Sequence, residues 1–109
     1  MDENTNDWIS KKIMSTDVVL FMKGTPEAPQ CGFSSQVVQI LNYLGIEFSS
    51  VNVLEDESIR NGIKEYTNWP TIPQLYVKNE FIGGADIIRE MFEENELKEF
   101  MADKGISTN

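Results

Sequence analysis

The chain has 109 residues, room for one hydrophobic core of ordinary domain size and not for two. Apolar residues make up 40% and charged residues 25%, which excludes wholesale disorder. Nine Lys and Arg against 18 Asp and Glu leave a net charge of −9. That balance argues against a general nucleic-acid binder, which needs clustered cations, and against electrostatic attachment to anionic lipid. The absence of histidine excludes Ser-His-Asp and Cys-His catalysis and His-ligated metal sites within this chain. With one cysteine, Cys31, an intrachain disulfide is excluded too, and so is a zinc site built from the cysteines of one subunit.

Residues 1–6 are polar and read as a frayed end. Trp8, Ile9, Ile13 and Met14 predict a short amphipathic helix over 7–14. Val18 to Met22 is an unbroken apolar run of strand formers, the pattern of a strand buried on both faces. Lys23 to Gln30 carries two prolines and a glycine and reads as a loop. Phe33, Val37, Ile40, Leu41 and Leu44 then fall on one helical face, with Gly45 placed as its stop. A weaker strand spans Phe48 to Val53, its alternation broken by Ser49 and Ser50. Ile59, Ile63 and Tyr66 predict a second stripe, capped by Asp56. Trp69-Pro70-Thr71-Ile72-Pro73 lacks two amide donors and is neither a regular helix nor a central strand. Gln74 to Val77 and Glu80 to Ile82 predict a hairpin turning at Lys78-Asn79. After Gly83-Gly84 comes a last helical region, with a break at the polar stretch Glu93 to Glu96.

A β-α-β start implies a parallel pair, and the late hairpin an antiparallel one. The expected fold is therefore α/β, a mixed four-stranded sheet with helices on both faces. The acidic, polar opening Met1-Asp2-Glu3-Asn4 matches neither a secretory signal nor a mitochondrial presequence. No apolar run approaches the ~20 residues needed to span a bilayer. A lone thiol suits a reducing compartment, and the expectation is a cytoplasmic protein.

Cys31 stands between a proline-bearing loop and the clearest helix, at or near its N-cap. Unpartnered amides and about half a positive charge gather there, so a thiolate is stabilised and its pKa falls. Lys23 supplies a second positive charge nearby. A lone cysteine is most often an inert core residue. The polar neighbours Gln30, Gly32 and Ser34 point instead to an exposed address. Ser34 occupies the position of the second thiol in a Cys-x-x-Cys pair, and Gly32 leaves room for a ligand's backbone.

Cys31-Gly32-Phe33-Ser34 resembles the CGFS signature of the monothiol glutaredoxins. The resemblance continues through Lys23-Gly24-Thr25-Pro26, the long loop before the cysteine, Trp69-Pro70-Thr71-Ile72-Pro73 and Gly83-Gly84-Ala85-Asp86-Ile87. It runs from Asp7 to Met101 and draws the domain at 7–103, with 104–109 as a loose tail. One departure is Ala85, whose position is often cysteine in the family.

The resemblance implies a thioredoxin fold with a glutathione groove beside Cys31. Lys23 and Arg60 resemble the cations that meet the glycine carboxylate; in isolation each reads as a solvated surface charge. Thr71-Ile72-Pro73 resembles the cis-proline loop whose backbone pairs with the ligand's cysteine, against the alternative of an ordinary rigid turn. Gly84 and Ala85 lead into a helix whose free amides suit the other carboxylate. Asp86 resembles the residue that holds the γ-glutamyl end, against the alternative of a plain N-cap.

Two functions follow from the resemblance. In the first, Cys31 is a metal ligand as well as the reactive thiol. A [2Fe–2S] cluster needs four ligands, and two chains with two glutathiones supply them, giving a cluster-bridged homodimer that loads apo iron–sulfur proteins. BolA-type proteins are further partners implied by the family. In the second, Cys31 is the catalytic nucleophile of a glutathione-dependent oxidoreductase acting on protein–glutathione mixed disulfides. The long loop from Gly24 to Gln30 favours the carrier. A thioredoxin-fold adaptor with no redox or metal role is the third alternative.

Overall fold

The computed structural model describes residues 3–109. Its elements are α1 (Glu3–Ser15), β1 (Val18–Met22), α2 (Gly32–Tyr43), β2 (Ser49–Asn52), a 3-10 turn (Val53–Glu55), α3 (Glu57–Thr67), β3 (Gln74–Val77), β4 (Glu80–Gly83), α4 (Ala85–Glu93) and α5 (Glu96–Asp103). The sheet order is β2-β1-β3-β4. β1 runs parallel to β2 and antiparallel to β3, and β3 pairs antiparallel with β4. The mixed four-stranded sheet read from the sequence is the sheet observed.

The uniform hydrophobicity of β1 has a direct cause. Val18, Leu20 and Met22 enter a core with α2, α4 and α5, whereas Val19 and Phe21 enter a second core with α1 and α3. β3 does the same, with Leu75 and Val77 on one side and Tyr76 on the other. β2 is an edge strand with every residue half-buried, so strict alternation is not required and Ser49 and Ser50 are tolerated. Asp56 caps α3 by accepting from the amides of Ser58 at 2.9 Å and Ile59 at 3.3 Å, as its sequence position predicts. Lys78 and Asn79 turn the hairpin with φ of 50° and 69°, the left-handed pair that a tight two-residue turn needs.

Ordered structure extends past both ends of the expected 7–103 segment. The frayed segment expected over 1–6 is helical from Glu3, so α1 gains a turn; Met1 and Asp2 lie outside the described residues. The tail expected to be loose over 104–109 is docked. Gly105 and Ile106 close α5 by donating to the carbonyls of Ala102 at 3.0 Å and Met101 at 2.9 Å, and Ile106 packs on the core. The Asn109 amide then donates to the Leu44 carbonyl at 2.7 Å, and its side chain to Tyr43 at 3.1 Å.

Candidate functional site

Cys31 is the N-cap of α2, with extended backbone (φ −153°, ψ 136°), and its carbonyl accepts the first helical bond from Ser35 at 2.9 Å. The side chain is partly exposed and makes no capping hydrogen bond of its own. The sulfur nevertheless faces the start of the helix. The Ser34 amide is the largest influence holding its pKa below the ordinary thiol range; burial opposes it, and the Phe33 amide, the Lys23 charge and the Ser34 hydroxyl assist. Ser34, at the place of a second thiol, is fully buried, and its Oγ accepts the Lys23 amide at 3.1 Å.

The loop between β1 and Cys31 folds back on itself. The Gln30 amide donates to the Lys23 carbonyl at 2.9 Å, and Thr25 and Ala28 exchange backbone bonds of 3.3 and 3.0 Å. Gly24 has φ of 92°, and a Cβ there would stand 2.6 Å from the Ala28 carbonyl and the Gln30 nitrogen. Only glycine fits this turn.

On the other wall, the Ile72–Pro73 peptide is cis. The loop that carries it hangs on Gln74, a fully buried amide at the start of β3. Gln74 Nε2 donates to the carbonyls of Trp69 and Thr71, both at 3.2 Å. Its Oε1 accepts from Thr67 Oγ1 and the Tyr76 hydroxyl, both at 3.0 Å. Burial pushes the Tyr76 phenol well above its usual range, so it stays protonated and donating.

The third wall is the start of α4. Gly84 is its N-cap and offers no side chain, and the first helical bond runs from the Ile88 amide to the Gly84 carbonyl at 3.1 Å. The amides of Ala85 to Ile87 thus have no intrahelical partner. A Cβ at Gly84 would press on the Pro73 carbonyl at 3.3 Å and Trp69 Nε1 at 3.4 Å, so the glycine lets helix and loop meet. The plain N-cap weighed for Asp86 is not what is found: Asp86 is the helix's second residue, and its exposed carboxylate lies 3.5 Å from Arg89.

These walls enclose a cavity of about 790 Å³, within the range of small-ligand sites. Of the residues singled out from sequence, Cys31, Lys23, Thr71, Ile72, Pro73, Gly84, Ala85 and Asp86 all line it. Arg60 does not; Lys64, one turn further along α3, takes the second cationic place. Sequence reading also missed Phe33, which is 59% exposed at the cavity rim. The signal for Lys64 was its spacing from Arg60 on the same helix; for Gln74 it was a lone amide heading an apolar strand. Gly32 has ordinary backbone and open space around its Cβ position. Among the described residues no cluster of three or more Cys, Asp or Glu stands ready to hold a metal, and no helix is long and apolar enough to cross a membrane.

The arrangement defines a thioredoxin-fold protein with one activated thiol beside a groove that offers cations and bare amides. The glutaredoxin family model matches residues 18–82. A protein of Synechocystis, described as an uncharacterized monothiol glutaredoxin, is 54% identical over 93% of this chain and 94% of its own length. A probable monothiol glutaredoxin of Rickettsia typhi is 50% identical over 95% of each. The chloroplastic monothiol glutaredoxin S14 of Arabidopsis thaliana is 56% identical over 85% of this chain and 54% of its own. Among solved structures, a truncated 1-C-Grx1 of Trypanosoma brucei superposes with a TM-score of 0.87 at 45% identity, covering 95% of this chain and 94% of that one. Reduced poplar apo GrxS14 gives 0.79 at 52% identity, covering 90% of each. The chain belongs to the glutaredoxin family, in its monothiol branch.

Proposed function

We propose that the protein binds glutathione in the groove beside Cys31 and carries a [2Fe–2S] cluster as cargo for apo iron–sulfur proteins. The observation that carries this reading is the pairing of a single activated thiol with a groove whose cations and bare amides suit an anionic tripeptide with two carboxylates. Lys23 and Lys64 line the cavity together with the start of α4, whose first amides have no intrahelical partner. A ligand with two carboxylates separated by a thiol-bearing residue can use both kinds of partner, the cations and the helix-start amides, in charge-assisted bonds. Arg60, one turn before Lys64 on α3, is the further cation proposed for the same carboxylate as Lys23.

One chain supplies one thiolate, so a four-ligand cluster requires a second chain and two bound glutathiones, hence a homodimer bridged by the cargo. Because half the ligands are exchangeable small molecules, the cluster is releasable to a recipient. A BolA-type partner would have to bring its own histidine, since this chain has none. Ala85 and the buried Ser34 leave no second thiol to divert Cys31 into an intrachain disulfide. The cytoplasm, a reducing compartment, is the proposed site of action.

A second reading is favoured by the lowered Cys31 pKa. The lowered pKa raises the thiolate fraction at a given pH, and that thiolate can attack a protein–glutathione mixed disulfide, take up the glutathionyl group and release the protein thiol. A second glutathione then clears it as glutathione disulfide. Anaerobic addition of iron, sulfide and glutathione distinguishes the two. The visible absorption of a [2Fe–2S] centre, lost without glutathione, supports the carrier; a colourless protein that turns over mixed disulfides rapidly supports the oxidoreductase.

A further inference from the structure

Asn52 ends the edge strand β2, opposite Met22, the last residue of β1. Its Oδ1 accepts two hydrogen bonds. One, from the Leu54 amide at 3.0 Å, is the local cap of the 3-10 turn. The other, from the Gly24 amide at 2.9 Å, reaches across 28 positions to the residue after Lys23. The local cap needs only a short polar side chain; the second bond needs the full length of an Asn or Asp.

That second bond has a physical reason. Gly24 is buried, and β1 has already ended, so the sheet offers its amide no acceptor. A buried unpaired amide is costly, and the left-handed turn at Gly24 fixes where its N–H points. With the Asn52 bond, the peptides flanking Lys23 are tied at three points: its amide to Ser34 Oγ, its carbonyl to the Gln30 amide, and the next amide to Asn52. Lys23 lines the Cys31 cavity and Asn52 does not.

We propose that Asn52 is a positioning residue, holding the Lys23–Gly24 peptide so that the Lys23 ammonium stays directed at the thiol and the ligand groove. It acts from the opposite side of β1, through the backbone. The inference extends the glutathione reading of this groove, but the thiol's own reactivity tests it without any ligand.

The experiment measures the rate of Cys31 alkylation by iodoacetamide at fixed neutral pH in the full chain, with folding checked by circular dichroism. Asn52→Ser keeps a cap for Leu54 but cannot reach Gly24, and is expected to slow alkylation by up to the loss that Lys23→Ala alone produces. Asn52→Asp keeps the accepting oxygen and is expected to recover most of the rate. In a Lys23→Ala background, Asn52→Ser is expected to add little, because the effect passes through Lys23. A folded Asn52→Ser protein alkylated at the wild-type rate overturns the proposal, and so does a full additional loss in the Lys23→Ala background. Glutathione affinity is read in parallel by calorimetry: if the wild-type chain binds none, the glutathione reading fails while the alkylation rates still decide the role of Asn52.

Discussion

The backbone amide of Lys23 donates to the fully buried hydroxyl of Ser34 at 3.1 Å. The residue that replaces a second thiol is therefore a structural anchor for the cation beside the first. Ser34→Ala removes the acceptor and leaves a part-buried amide unpaired. The expected loss of stability is about 1–3 kcal/mol, read from urea denaturation. Alkylation of Cys31 should slow modestly as well, since the Ser34 hydroxyl that favours the thiolate is lost while the larger contribution of the Ser34 amide remains.

Gln74→Glu tests the cis-proline loop. The carboxylate keeps the acceptor for Thr67 and Tyr76 but cannot donate to the carbonyls of Trp69 and Thr71. A buried charge facing two carbonyl oxygens is expected to cost at least about 2 kcal/mol and to weaken glutathione binding, measured by denaturation and calorimetry. Gln74→Met, similar in volume without polar atoms, should cost less stability yet still loosen the loop.

Gly24→Ala places a Cβ 2.6 Å from backbone atoms on two sides and in a backbone region that alanine disfavours. The loop must open to admit it. The expectation is a loss of about 1–3 kcal/mol together with slower thiol alkylation, because the same turn carries Lys23.

The alkylation rate of Cys31 should follow thiolate content and fall as pH is lowered through a midpoint below the ordinary thiol range. Lys23→Ala should move that midpoint upward. The linked stability has a definite sign: a thiol whose pKa is depressed on folding contributes stability above its unfolded pKa, and this is lost as pH falls through the folded value. A pH–rate profile of wild type and Lys23→Ala checks both statements.

The strands and helices were legible because their periodicity is local. β1 shows that a five-residue apolar run is itself the signature of a strand buried on two faces. The start of α1 was not legible, since Glu3 to Asp7 carry no apolar stripe to mark a helix. Nor was the docked tail, whose closure depends on Ile106 finding the core and Asn109 finding Leu44, far away in sequence. At the site, the motifs located Cys31, Lys23 and the two loops that line the cavity beside them. They did not mark Lys64, which lines the cavity one turn along α3 from Arg60. Gln74 and Asn52 were missed because each works through partners that only the folded chain brings near.

The docked tail gives its own test. Removing residues 106–109 exposes part of the core under Ile106 and frees the Leu44 carbonyl. The shortened chain is expected to lose about 1–3 kcal/mol of stability, read from thermal or urea unfolding, with little change in Cys31 alkylation.

The most direct test is the mass of the species formed when the protein is loaded anaerobically with iron, sulfide and glutathione and examined by native mass spectrometry. The expected ion contains two chains, one [2Fe–2S] unit and two glutathiones, and disappears in Cys31→Ser. A monomer without iron under these conditions, or a Cys31→Ser protein that assembles the same complex, contradicts the account.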